Sequence, residues 1–143
     1  MVSGAADGWP PELPVRQVRI ARPTNRLAEV VRFYRDRLGL AEIDRFEGHD
    51  GFSGVMLGLP GSEYHLEFTT HVDGSPGDAP SRENLLVLYL GSASDVEAVA
   101  ERLAGLGHTP VRPENPYWEE TDGITVEDPD GWRLVLVAGT YSR

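Results

Sequence analysis

The chain has 143 residues, a formal net charge of −10 and no cysteine. That length fits one domain able to bury a real core, and the missing cysteines exclude both a disulfide framework and a thiolate metal site. The acid surplus argues against nucleic acid, whose phosphates need Lys and Arg to neutralise them, and would steer cationic or neutral ligands.

Residues 1–14 are small, polar and Pro-rich, which predicts an extended N-terminal arm in which Trp9 is free to pack on the body or on a partner chain. The first eight residues lack a basic region and an apolar core, so they do not read as a signal peptide. No apolar run approaches membrane-spanning length. A cytoplasmic protein with no membrane partner is the expectation.

Val15–Ala21 alternates as a strand, and Thr24 or Asn25 can cap a helix after it. Leu27, Val30, Val31, Tyr34 and Leu38 fall on one helical face, and Gly39 is placed to end that helix. Short strands are expected near Ala41–Phe46, Gly54–Leu59 and His65–Thr69. Residues 71–83, rich in Gly, Pro, Ser and Asp, read as a linker. Leu85–Leu90 is then a continuous apolar strand, and Ser94-Asp-Val-Glu97 has the spacing of a capping box before the stripe Val96, Val99, Ala100, Leu103. Strands near Thr109–Arg112, Ile124–Glu127 and Trp132–Ala138 complete the second half, with residues 139–143 as a tail. Each half therefore reads strand, helix, strand, strand, strand, with modules at 15–70 and 84–138 inside one domain spanning 15–138. The predicted class is α+β: two tandem βαβββ modules forming a curved mixed sheet around a concave cavity.

Asp128-Pro-Asp-Gly131 carries acids beside a Pro and a Gly, and the choice is between a cation loop and a turn. A calcium loop needs acids at alternating positions, a closing Glu and flanking helices. Here Pro129 interrupts the acids and strands flank them, so the stretch reads as a tight turn.

Phe33-Tyr-Arg-Asp-Arg-Leu-Gly-Leu40 and Glu127-Asp-Pro-Asp-Gly131 resemble the signatures of the vicinal oxygen chelate superfamily, which includes glyoxalase I, the bleomycin-resistance proteins and the extradiol dioxygenases. The resemblance covers roughly residues 15–138 and implies the paired βαβββ fold. It also implies a homodimer, and in the enzymes a divalent metal held on the concave face by one ligand from the first and last strand of each module. Carried onto this chain, those four positions fall on Arg19, Glu67, Leu85 (or Asn84 in a register shifted by one) and Val135. Only Glu67 is an ordinary ligand, and an arginine repels a cation.

Arg19 and Glu67 instead suggest an ion pair that either fills the metal position or faces a ligand. His65 shares a strand face with Glu67. It can be a structural histidine, an acid/base group, or half of a displaced His65/Glu67 metal site. His49, His71 and His108 sit in turn-like contexts and read as surface residues. Tyr89, by parity with Leu85, can line the cavity. Tyr117 and Trp118, in a Pro-bounded loop, can wall a pocket or stack on a planar ligand. Parity with Val135 places Arg133 on the concave face and Trp132 on the other. No nucleophile constellation or phosphate-cradling glycine loop is present, so no catalytic residue is assigned. The expected activity is metal-independent binding of an aromatic or cationic small molecule, with no cofactor. The alternative is a metal-dependent lyase or dioxygenase at His65 and Glu67.

Overall fold

A computed structural model describes residues 8–59 and 63–140; residues 1–7 of the expected arm and 141–143 of the expected tail lie outside the described residues. In chain order the elements are β1 (Val18–Pro23), α1 (Leu27–Val31, running on as a wider helix over Arg32–Leu38), β2 (Ala41–His49), β3 (Phe52–Gly58) and β4 (Tyr64–His71). After the linker come β5 (Leu85–Leu90), α2 (Ala93–Gly105), a short α3 (Tyr117–Glu120), β6 (Ile124–Glu127) and β7 (Arg133–Ala138). The fold is α+β, with one sheet in the order β1-β4-β3-β2 and a second in the order β5-β7-β6. In each half the first strand pairs in parallel with the last, Arg19 opposite His65 and Leu85 opposite Arg133. The repeat is thus written in the hydrogen-bond ladders as well as in the sequence.

Strand alternation sends one face of each sheet to the helices. Leu66 and Phe68 of β4 join Val30, Val31, Phe33 and Tyr34 of α1, while Leu134 and Leu136 of β7 join Val96, Ala100 and Leu103 of α2, in one buried cluster. Each such aliphatic side chain contributes roughly 1.5–3 kcal/mol by leaving water. Arg19, Glu67, Arg133 and Val135 have the opposite parity and belong to the other faces.

Three local expectations are corrected. The residues Thr109–Arg112 do not form a strand; Val111 makes a single bridge to Thr125. Pro110 and Pro113 remove the donors a ladder needs. Helix α2 is capped by Ser92, whose hydroxyl accepts from the Asp95 amide at 3.2 Å, rather than by Ser94. The stretch around Tyr117 is helical rather than a loop: Asn115 Oδ1 accepts from the Tyr117 amide at 3.0 Å, and Pro116 already holds φ at −58°.

The Asp128–Gly131 stretch is a tight turn, closed by the Gly131 amide on the Asp128 carbonyl at 2.9 Å with Gly131 at φ 85°. Its acids look inward to the protein. Asp128 is fully buried, takes the Tyr34 hydroxyl at 2.7 Å and pairs with the Arg22 guanidinium. Its second oxygen accepts the Asp130 and Trp132 amides at 2.8 and 3.0 Å. Asp130 accepts from Arg26 at 3.1 Å. The two motifs of the chain therefore meet: the helix motif supplies Tyr34, the turn motif supplies Asp128, and their bond ties one module to the other.

Burial, with the nearby Asp128 carboxylate second, raises the Tyr34 pKa far above its ordinary 10.0. The unfolded chain then loses this proton first. Stability from Tyr34 is complete below about pH 10 and falls as the pH rises further. Urea midpoints should therefore drop as the pH rises above about 10, and the drop should shrink in Tyr34→Phe; an equal drop in both proteins would discount this tyrosine.

Candidate functional site

The structure brings Arg19, His65 and Glu67 together across the parallel β1–β4 pair. Arg19 Nε donates to His65 Nε2 at 2.8 Å, and its Nη1 lies 3.4 Å from Glu67 Oε2. The Arg19 side chain is 48 % exposed, so the ion pair itself adds at most about 1 kcal/mol. Its chemical consequence is larger. With Nε2 accepting from an arginine, which never gives up its proton, neutral His65 carries its hydrogen on Nδ1. Neither ring nitrogen then has a lone pair for a metal. His65 is buried, and its Nδ1 has no partner.

The divalent metal of the superfamily enzymes does not fit these residues. Glu67 is engaged by Arg19, and Leu85 and Val135 have no donor atoms. Val135 is moreover completely buried. Among the described residues no three His, Asp or Glu side chains converge as a metal-binding group.

On the second module the candidates divide. Tyr89 is 42 % exposed on β5, and Tyr117 is 43 % exposed on α3, edge-on to Trp118 at 4.9 Å. Trp118 and Arg133 do meet one space, a small cavity of about 80 Å³ shared with Leu85, Asn115 and Thr125. Arg133 is buried and committed: its Nε and Nη2 both lie 3.1 Å from Glu127 Oε2, and its Nη1 donates to the Arg112 carbonyl at 2.9 Å. The segment carrying α3 is tied to the sheet at Gly123, whose amide donates to the Trp118 carbonyl at 2.8 Å. A Cβ at Gly123 would stand 2.9 Å from that carbonyl and 3.3 Å from Val135. This face of β7 is therefore covered by the chain itself.

Another cavity, of about 180 Å³, lies at the seam where β1 and β4 meet β5 and β7, and most of its residues are not among the sequence-based candidates. Ile20, Leu66, Phe68, Leu85 and Leu86 give it apolar walls, with Arg22, Trp132 and Arg133 among its polar ones. The Arg22 guanidinium stacks 4.7 Å from the Trp132 ring centroid and 4.8 Å from that of Phe68. Trp132 thus packs on this arginine. The signal lies in the alternation: Arg22 has the parity of Ile20, so an arginine is due on the helix-side face and needs a carboxylate there.

A family model for the YycE-like N-terminal domain matches residues 18–69, and one for the YycE-like C-terminal domain matches residues 83–138. The chain belongs to the YycE-like family. It is 47 % identical over 121 residues to the uncharacterized protein YycE of Bacillus subtilis strain 168, covering 85 % of this chain and 86 % of that one. A crystal structure of a YycE protein of unknown function from Bacillus subtilis, a candidate glyoxalase/fosfomycin resistance protein, superposes with a TM-score of 0.83 at 45 % identity, over 89 % of this chain and 92 % of that one. A glyoxalase/bleomycin resistance protein/dioxygenase domain from Frankia sp. EAN1pec shares the fold, with a TM-score of 0.63 at 24 % identity over 88 % and 97 % of the two chains. The YycE-like chain therefore has the vicinal oxygen chelate fold that its two motifs resemble. No helix among the described residues is long and apolar enough to cross a membrane.

Proposed function

We propose that this YycE-like protein is a metal-independent small-molecule-binding protein that takes an aromatic or cationic ligand on its concave face. The observation that carries the reading is the Arg19–His65–Glu67 network, which sets an arginine, bonded to His65 and Glu67, at a position where the resemblance implies a metal ligand. Arg19 engages only Oε2 of Glu67, so Oε1 remains for a cationic group on the ligand, and the exposed rings of Tyr89 and Tyr117 offer faces for stacking. The net charge of −10 steers such a ligand inward. Among the described residues the edge strands β1 and β5 have no strand partner on one side, with Ile20 and Tyr89 half-exposed on them, which supports a homodimer that completes the cavity. Light scattering at micromolar concentration should give twice the chain mass; a monomer would remove the dimer from the proposal.

Thermal melts with zinc, nickel, manganese or ferrous ion should coincide with the melt of the protein alone, since a ligand raises the midpoint only by binding the native state. A screen of aromatic and cationic compounds in the same assay should return stabilisers whose effect is lost in Glu67→Gln. Metal-dependent stabilisation abolished by Glu67→Gln would reject the reading.

A further inference from the structure

On the concave face of the first module, Gly58, Met56 and Gly54 of β3 stand in register with His65, Glu67 and Thr69 of β4. Two of these β3 residues have no side chain, and residues of the edge strand β2 lie over them. A Cβ at Gly54 would stand 2.6 Å from the Phe46 ring, and one at Gly58 would stand 3.0 Å from the Ile43 side chain. Ile43 is the extra residue where the β2–β3 register shifts between Glu42 and Asp44, and Asp44 then pairs with Met56. Ile43, Met56 and Phe46 thus form an apolar floor. None of the three is fully buried and Ile43 is 58 % exposed, so the floor is open to a ligand.

The rim of this floor is charged. Asp44 and Glu67 flank Met56 on its two neighbouring strands, about 10 Å apart at two interstrand spacings. Arg19 offsets Glu67, whereas Asp44 accepts only the Arg45 amide, at 2.8 Å, and has no ion pair among the described residues. Negative charge is therefore left over beside apolar surface.

We infer that this floor seats a planar aromatic monocation of two or three fused rings, lying flat on Ile43, Met56 and Phe46 with its charge toward Asp44 and Glu67. The floor is three strands wide, which matches such a ring system. The Phe46 ring attracts a cation, the Met56 thioether adapts to an aromatic surface, and the body of the ligand leaves water. An anionic arene would meet Asp44 with no free cation beside it. The inference rests on the ligand-binding reading of the concave face and narrows it: the ligand is aromatic and cationic at once, and its seat is on the first module.

The test uses the full chain with N-methylacridinium and with acridine at mildly alkaline pH, where acridine is neutral. Calorimetry gives the affinities and methyl resonances give the position. The chain has two methionines, so the Met56 methyl is readily assigned. N-methylacridinium should move that methyl upfield and bind at least about threefold tighter than acridine. Asp44→Asn should weaken N-methylacridinium about two- to fivefold and leave acridine unchanged. Phe46→Ala should weaken both about three- to tenfold. Failure of N-methylacridinium to bind, equal affinity for the two probes, or an Asp44→Asn protein that binds both as before overturns the inference. So does a Phe46→Ala protein that changes its oligomeric mass instead of these affinities, which would assign the floor to a second copy. The two readings fail separately: binding that is lost in Glu67→Gln while the Met56 methyl stays still removes the floor and keeps a ligand on the concave face.

Discussion

Asp128→Ala should lower the stability of this protein by roughly 3–5 kcal/mol, a fall in melting temperature on the order of 10–15 °C. The carboxylate is fully buried and holds four groups at once: the Arg22 guanidinium, the Tyr34 hydroxyl and the amides of Asp130 and Trp132. Removing it strands a largely buried arginine among Tyr34, Phe68 and Trp132. Rings alone do not replace the desolvated countercharge. Asp128→Asn keeps an acceptor for the turn amides but turns an amide NH2 toward the Arg22 and Tyr34 donors, so it should cost less than alanine while still destabilising. If Asp128→Ala melts within a degree or two of the parent protein, the inter-module tie is not what holds the halves together.

Val135→Glu should be nearly as damaging. The resemblance puts a metal ligand at this position, which invites the substitution as a way to rebuild a metal site. The structure argues otherwise: Val135 is completely buried, opposite Val87 on one side and Thr125 on the other. Arg133, two residues away on the same face of β7, is already paired with Glu127. A carboxylate there has no free partner, and the expected loss is roughly 3–5 kcal/mol. Zinc should not restore the melt. A Val135→Glu protein that melts normally, or is rescued by metal, would show that this face of β7 is open to a ligand.

Local patterns are the legible part of this sequence. The stripe Leu27–Leu38, the glycine at 39 with φ 110°, and the Asp128–Gly131 turn all rest on contacts within a few residues, and all stand in the structure. The misreadings share a cause. The internal repeat suggests a strand at Thr109–Arg112, but Pro110 and Pro113 outrank the repeat. Asn115-Pro116 has the look of loop punctuation, although an Asx cap followed by a proline opens a helix equally well.

At the candidate site, parity alone places Arg19 with His65 and Glu67, because strand neighbours on one face are computable from spacing. The Arg22–Asp128 pair spans 106 positions, and no local pattern announces a partner that far away. Only the reason for looking is visible: an arginine in phase with apolar residues must find a carboxylate. The packing of His108 against Phe33, with rings 4.8 Å apart, is also out of reach of local pattern. Burial there, and Arg37 second, lower the pKa of a histidine whose turn-like context points to the surface.

Two of the four positions where the resemblance implies metal ligands, Arg19 and Glu67, are joined with His65 in an internal network in this chain. Elemental analysis of protein expressed without a metal-affinity tag, in medium containing zinc, nickel, manganese and iron, tests most directly whether that network takes the place of a metal. Metal far below one equivalent per chain, unchanged in Glu67→Gln, is the expected result. Near-stoichiometric metal that disappears in Glu67→Gln and in His65→Ala would contradict it.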